Sequence, residues 1–174
     1  MLRRFRRDQG GVAGVEFALV APVMILLYYG MVELTLGMMA QRRASHAVSV
    51  VADLVSQVSS TTSTEVTDIF SVGTAILRPF PAGPLKMRIT SVKNINNVNT
   101  VVWSRGYGQG GRGQGGTVAG FPANLIAANE SIIMAEVTYT YDSPIHQVLP
   151  NALAFSQTFY LRPRKSIEVV CPSC

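Results

Sequence analysis

The first sixty residues contain two successive hydrophobic patterns. The first, residues 12–40, carries only two charges, Glu16 and Glu33, and the sixteen residues from Phe17 to Val32 carry none. As a helix this run is roughly 43 Å long at 1.5 Å per residue, more than the ~30 Å thickness of a hydrocarbon core. The pattern predicts a membrane-spanning helix over 12–40, in which Pro22 is tolerated because a membrane helix can bend there.

The second pattern, residues 41–60, is amphipathic and follows the polar restart at Gln41. Apolar residues recur at three- and four-residue spacing, which predicts that the helix continues beyond the membrane with one buried stripe. The stripe consists of Ala44, Ala47, Val48, Val51, Leu54, Val55 and Val58.

The remaining residues, 61–174, are typical of a small mixed domain. A helix is predicted over 64–77 with Thr64 as its N-cap. Alternating, β-branched segments predict strands over 85–95, 99–105, 131–142 and 155–163, and residues 122–129 predict a helical turn. The fold class is therefore α+β: a long N-terminal transmembrane and amphipathic helix packed on a small antiparallel sheet.

The distribution of charge predicts how the chain is oriented across the membrane. The chain has fifteen Lys and Arg against ten Asp and Glu, a net charge of +5. Four of the fifteen cations lie in residues 1–11, and from Val12 onward eleven face nine acidic residues, a net of +2. A basic stub beside the first span is retained in the cytoplasm, so the remainder is expected on the outer side. The rest of the sequence contains no clustered basic stripe of the kind that indicates nucleic-acid binding.

The junction between stub and span carries a motif. Gly11 is followed by four residues, then by Glu16 and Phe17. This spacing resembles the site cut by prepilin peptidases of type IVb and Flp pili. The surrounding sequence, RRFRRDQGGVAGVEFALVAPVMILLYYGMVEL, resembles the N-terminus of TadE-like pseudopilins of the tight-adherence (Tad) pilus system. The likeness covers residues 1 to about 55 and is looser beyond.

The resemblance implies a pilin-like fold and a function. Residues 1–11 would be a cytoplasmic leader, 12–40 the transmembrane helix, 41–60 its periplasmic extension and 61–174 a periplasmic domain. The protein would be a minor pseudopilin of the inner membrane that is needed for assembly or initiation of a Tad/Flp pilus. Its partners would be a prepilin peptidase, other pilins and pseudopilins, the inner-membrane secretion platform and the lipid bilayer, with no nucleic acid and no small-molecule substrate.

Glu16 needs an explanation, because an ionised carboxylate at the centre of a bilayer costs at least about 2.5 kcal/mol. Cleavage after Gly11 would create an α-ammonium on Val12, which the Glu16 carboxylate of a neighbouring chain can meet. Pairing offsets part of the desolvation of both charges and would set the register between subunits. Alternatively, Glu16 lies in the headgroup zone of a simple signal anchor. A removed secretory signal is a further reading, although Met38 stands where a small residue is required.

Residues 105–116 contain seven glycines in twelve positions. They include the spacing G-x-G-x-x-G, at Gly106, Gly108 and Gly111. A dinucleotide site requires that such glycines open a helix within a βαβ unit, and no helix pattern follows here. We therefore expect a flexible loop between two strands, which would contact a partner if it has a role.

Cys171 and Cys174 form a C-x-x-C pair, the only cysteines in the chain. A redox-active pair begins a helix in a thioredoxin-like fold, and no helix-forming sequence follows here. In an oxidising periplasm a small disulfide loop is expected instead, with pairing to another chain left open. Two thiolates alone do not make a structural zinc site, which takes four ligands. We expect no metal and no cofactor.

Catalytic signatures are sparse. His46 and His146 are far apart in sequence, and the chain has no H-E-x-x-H motif, nucleophile elbow or phosphate loop. We therefore expect a protein that is not an enzyme. Two other classes stay open: a signal-anchored periplasmic binding or adhesive domain unrelated to pili, and a membrane-tethered thiol oxidoreductase.

Overall fold

The computed structural model describes residues 11–118, 120–122, 125–146 and 151–174. Two helices and four strands follow one another along the chain, and all four strands join one antiparallel sheet. The α+β prediction is therefore confirmed. In order, the elements are α1 (Val12–Ser56), α2 (Ser63–Ile76), β1 (Leu85–Ile95), β2 (Val98–Tyr107), β3 (Ser131–Tyr141) and β4 (Leu153–Leu161).

The chain forms two compact units, and α1 contributes to both. One unit holds α1 as far as Met38 and the described residues between Asp142 and Ala152. The other holds Met39–Tyr141 and Leu153–Cys174. Pro22 lies inside α1 without ending it, as expected for a proline in a membrane helix.

The second half of α1 packs through the predicted stripe. Ala44, Ala47 and Val48 are buried, as are Val51 and Val55 one and two turns further on. Gly73 on α2 shows how closely the layers meet, because a Cβ atom there would lie 2.9 Å from Val51 Cγ2 and 3.0 Å from Met87 Cε on β1. The absence of a side chain at Gly73 therefore lets α2 approach both α1 and the sheet.

The N-cap of α2 lies two residues earlier than predicted. It is Thr62, not Thr64. The Thr62 hydroxyl accepts a hydrogen bond from the Glu65 backbone N–H at 3.3 Å, and the Glu65 carboxylate accepts one from the Thr62 N–H at 2.8 Å. This reciprocal pair is a capping box, which satisfies two backbone donors that a helix start otherwise leaves unpaired.

The sheet has the strand order β2-β1-β3-β4. β1 and β2 form a hairpin through Asn96 and Asn97, whose φ values are 52° and 64°. Two positive φ values define a type I′ turn, whose twist suits a two-residue hairpin and which asparagine tolerates well. A β-bulge interrupts the register between Ser91 and Val92.

Both faces of the sheet carry apolar side chains. In β3, Ile133, Ala135 and Val137 alternate with Ile132 and Met134, and all five are buried. The first set lies on the side of the helices. The second set belongs to a separate apolar cluster formed with the long β2–β3 connection: Val92, Val101, Val118, Ile126, Ile132 and Met134, with Phe121, Leu125 and Tyr160 at its margin.

Residues 122–129, predicted as a helical turn, lie partly outside the described residues. The described residues of this range, 122 and 125–129, contain no helix. Asn129 has a φ of 64°, a left-handed conformation that ends a helix rather than continuing it.

Candidate functional site

The predicted processing site lies at the beginning of α1. The helix begins at Val12, so the bond between Gly11 and Val12 is where regular helix starts. Apart from its chain neighbours, no atom of the described residues lies within 4 Å of the position that a Cβ atom on Gly11 would take. The backbone around the predicted scissile bond is therefore open on the side where a side chain would otherwise stand.

Glu16 and Phe17 follow one helical turn after Val12. Both side chains are exposed, Phe17 to 74%. Within the described part of the chain, Glu16 has no hydrogen bond and no ion pair. The four predicted site residues are therefore adjacent on one exposed helix end. Their accessibility is compatible with recognition by another protein, although cleavage itself stays a prediction.

The apolar span that follows is exposed on all sides of the helix. From Val12 to Tyr29 only Ala21 is less than exposed, and side chains such as Leu19 and Met31 are exposed to 70% and 71%. An 18-residue window reaches a mean hydropathy of 1.9, with none of it buried in the chain. This helix is long and apolar enough to cross a membrane, and such a surface requires lipid or other apolar helices around it.

Burial along α1 changes at Glu33. Its side chain is fully buried. From Ala40 onward buried residues recur on one stripe. The helix thus consists of a portion exposed all round and a portion with one buried face.

A network of charged side chains lies on the face of the sheet that is opposite to the helices. Arg88 on β1 donates to both carboxylate oxygens of Glu136 on β3, at 2.7 and 3.0 Å. Arg112, from the glycine-rich segment, donates to the same carboxylate at 2.8 Å. Burial on its own raises the pKa of Glu136, but the hydrogen bonds and charges of the two arginines outweigh it, so that the pKa lies below its ordinary 4.5.

Residues 105–107 of the glycine-rich segment belong to β2, and later residues of the segment, which we expected to form a flexible loop, pair with that strand. Val101 donates its N–H to the Gly116 carbonyl at 2.8 Å and accepts from the Gly115 N–H at 2.8 Å. Thr100 and Thr117 form an antiparallel bridge. The glycines permit this close approach, and they lie in no βαβ unit, so the structure offers no support for a dinucleotide fingerprint.

Three glycines of this segment have backbone atoms where a side chain would stand. At Gly108, which has a φ of +66°, a Cβ atom would lie 2.6 Å from the Leu85 carbonyl oxygen. At Gly111 it would lie 2.5 Å from the Ser104 carbonyl oxygen, and at Gly106 it would meet the Gln109 carbonyl. Gly110 and Gly113, by contrast, have open space.

The C-terminal residues dock beside the start of α2. Cys171 and Cys174 are joined by a disulfide with a Cα–Cα distance of 5.4 Å. Within this small loop the Ser173 hydroxyl accepts a hydrogen bond from the Ser63 backbone N–H at 2.9 Å. Val170 pairs with the α1–α2 connection, donating to the Ser59 carbonyl. The segment therefore holds the N-terminal end of α2.

Candidate catalytic and metal-binding groups are not brought together in the part of the chain that is described. His46 is exposed on α1, and His146 lies 3.8 Å from Asp142 in an exposed pair. The described residues contain no group of three His, Cys, Asp or Glu side chains able to hold a metal ion.

Sequence reasoning missed three contributors to the sheet domain. Thr62 was detectable, because T-x-x-E at Thr62 and Glu65 is the signature of a capping box. Glu136 is a charged residue within an apolar strand, and it lies on the face opposite to its neighbours Ala135 and Val137. A carboxylate at such a position indicates a charged partner. The contact of Trp103 with the C-terminal segment has no local sequence signal.

The fold and the exposed span define a class of protein: an α+β domain on a long helix that provides one candidate membrane anchor. Among known families, a model described as TadE-like protein matches residues 11–53. Over this segment the chain is similar to TadE-like proteins, the family that its sequence motif resembles, and the match supports involvement in the Tad pilus system. No curated protein and no solved structure matches the chain.

Proposed function

We propose that this protein is a minor pseudopilin required for assembly or initiation of a Tad/Flp-type pilus, and that it acts through contacts of α1 rather than through catalysis. One observation carries the proposal. The family match begins at Gly11 and ends at residue 53, and within it Gly11, Glu16 and Phe17 stand at the start of a helix whose apolar surface is exposed all round.

The proposed orientation follows from charge. The four arginines of the stub stay in the cytoplasm, α1 crosses the inner membrane once, and the sheet domain lies in the periplasm. A prepilin peptidase then meets Gly11 at the cytoplasmic face. The open space beside Gly11 supports its role at the cut, because a peptidase must reach the carbonyl of that residue.

The proposed assembly step uses the charge created by cleavage. Val12 would then begin the helix with an α-ammonium, which the positive end of the helix dipole disfavours. Glu16 lies four residues on, about 6 Å along the axis, and its exposed carboxylate is available to a neighbouring subunit. An ammonium of one chain and a carboxylate of the next would form an ion pair in an apolar setting and fix the axial register.

Cleavage can be tested with two glycines of the same helix end. Gly11→Leu should block processing, whereas Gly14→Leu, at a position equally free of neighbours, should leave it intact. The measurement is N-terminal sequencing and intact mass of the membrane-extracted protein from cells that express a prepilin peptidase. The wild type is expected to begin at Val12. A wild type that retains its arginine-bearing leader in such cells would overturn the proposal.

The role of Glu16 separates this proposal from a simple signal anchor. Glu16→Gln removes the charge at nearly constant shape, so membrane insertion should persist while pilus assembly is lost. Asp68→Asn, an equal change of charge at an exposed site on α2, is the control and should assemble normally. Normal pili in the Glu16→Gln strain would favour the alternative of an anchored binding or adhesive domain.

A further inference from the structure

The two edges of the sheet differ. The outer side of β2 is paired with residues 115–118, through the Val101 hydrogen bonds and through Val118, which donates to the Asn99 carbonyl at 3.2 Å. β4 pairs with β3 along its whole length. On its other side, no backbone hydrogen bond joins β4 to any described residue outside the sheet. Among the described residues, one edge is therefore covered and the other is open.

β4 also lacks the features that protect an open edge. Natural edge strands carry lysines or prolines, or are short or bulged, because their unpaired N–H and C=O groups otherwise recruit another strand. The nine residues of β4, LAFSQTFYL, contain no charge and no proline, and their pairing with β3 is regular. Ala154, Ser156 and Thr158 are exposed.

The C-terminal end of this open edge is cationic. Arg162, Arg164 and Lys165 line a depression of about 420 Å³ together with Glu130. Arg162 lies 3.4 Å from Glu130 and Arg164 lies 2.5 Å from Asp53. Lys165 is exposed and has no ion pair within the described residues. These three cationic side chains have only two carboxylate partners among the described residues, so the end of β4 carries an excess positive charge.

We propose that β4 binds an extended segment of a partner chain by strand addition, with the partner antiparallel to β4 and with acidic residues at the N-terminal end of its strand. Antiparallel pairing continues the pattern of the sheet and places the start of the added strand beside the end of β4. The main-chain bonds of the edge supply affinity, and the cations at 162–165 select the acidic start.

A second copy of this chain fits the edge less well than a partner with that chemistry. The β2 edge of a second copy is covered, which leaves only its β4. If two β4 strands paired about Gln157, Arg162 would face Ala152, and no acidic residue lies between Ser143 and Leu153. The excess positive charge would then stay unpaired, so charge complementarity favours a different chain.

The test uses the full chain in detergent micelles and a fluorescent synthetic peptide. The probe is Asp-Glu followed by four Val-Thr repeats, and its control carries Asp-Glu after the repeats. Anisotropy should show tighter binding of the acid-first peptide. N-methylation at alternate probe residues should weaken binding at least about tenfold in one of the two alternating sets and little in the other, because only one set of N–H groups faces β4.

Charge reversal on the protein completes the test. Lys165→Glu should weaken the acid-first peptide about fivefold or more and reduce its preference over the control peptide. Lys86→Glu, an equal reversal at an exposed position on β1, should do neither. Equal binding of both peptides, indifference to N-methylation in both sets, or self-association of the chain through β4 would each overturn the proposal. None of these readouts depends on pilus formation, so the proposed function can fail while this inference stands.

Discussion

The indole N–H of Trp103 donates a hydrogen bond to the backbone carbonyl of Val169 at 2.7 Å, and both residues are buried. Trp103 is on β2, whereas Val169 belongs to the C-terminal segment, 66 residues further along the chain. The bond therefore links the sheet to the segment that holds the start of α2. Trp103 is also the only tryptophan, so its fluorescence reports on this junction.

Trp103→Phe should destabilise the domain by about 1–3 kcal/mol, because the Val169 carbonyl would be left buried without its donor. The measurement is urea unfolding in micelles. It is monitored by circular dichroism, because the variant has no tryptophan whose fluorescence could be used. Tyr107→Phe on the same strand is the control, because the Tyr107 hydroxyl makes no hydrogen bond to another described residue. If both variants unfolded at the wild-type urea concentration, the Trp103 bond would contribute nothing measurable.

The glycine-rich segment should tolerate alanine at some glycines and not at others. Gly108→Ala and Gly111→Ala place a methyl group against backbone carbonyls, and we expect each to cost about 1–3 kcal/mol. Gly110→Ala and Gly113→Ala, in open space, should be close to neutral. The readout is the urea midpoint of each variant. Equal effects at all four sites would mean that the segment is not packed as described.

These glycines show where prediction from sequence stops. Alternation and β-branched content placed β1 and β3 within one residue of their observed bounds, although part of each strand is buried on both faces. The glycine content of residues 105–116 predicted a flexible loop, because composition reports conformational freedom and not contacts. The partners that order the segment, such as Leu85 and Ser104, lie on strands and become visible only once the fold brings them together.

The candidate processing site could be proposed from the sequence for a different reason. Gly11, Glu16 and Phe17 form a local motif, and the span after them is defined by length and hydropathy, so neither requires knowledge of the tertiary structure. The Arg88–Glu136–Arg112 network does require it, because its members come from two strands and a connection. The choice of Thr64 over Thr62 as N-cap failed because both threonines precede the same apolar pattern, and only the Glu65 spacing distinguishes them.

Stability should depend on pH through Glu136. The folded-state pKa of Glu136 lies below its ordinary 4.5, so its contribution is present above that value and is lost as pH falls through the lower, folded value. Glu136→Gln should therefore be less stable than the wild type at pH 7, by about 1.5–3 kcal/mol for hydrogen bonds to a charged group, and the difference should shrink in acid.

Urea midpoints across an acidic pH series, for wild type and variant, measure this difference. The same comparison is then made in the Arg112→Gln protein, with and without the Glu136→Gln substitution. With one of the two cations removed, the pKa of Glu136 should move up towards its ordinary value, and the effect of Glu136→Gln at pH 7 should become smaller. A gap between wild type and Glu136→Gln that stayed constant from neutral to acidic pH would contradict the assignment.

The disulfide loop should act locally on the start of α2. Replacing Cys171 and Cys174 by serine opens a four-residue loop and should cost at most about 2 kcal/mol by the chain-entropy estimate. Ser173→Ala keeps the disulfide but removes the oxygen that accepts from the Ser63 N–H. Because the other contacts of the segment remain, both variants should speed amide hydrogen exchange at Ser63 while leaving β1 and β3 protected. Faster exchange throughout the sheet would instead mean that the loop is part of the global core, and unchanged exchange at Ser63 would mean that Ser173 does not cap α2.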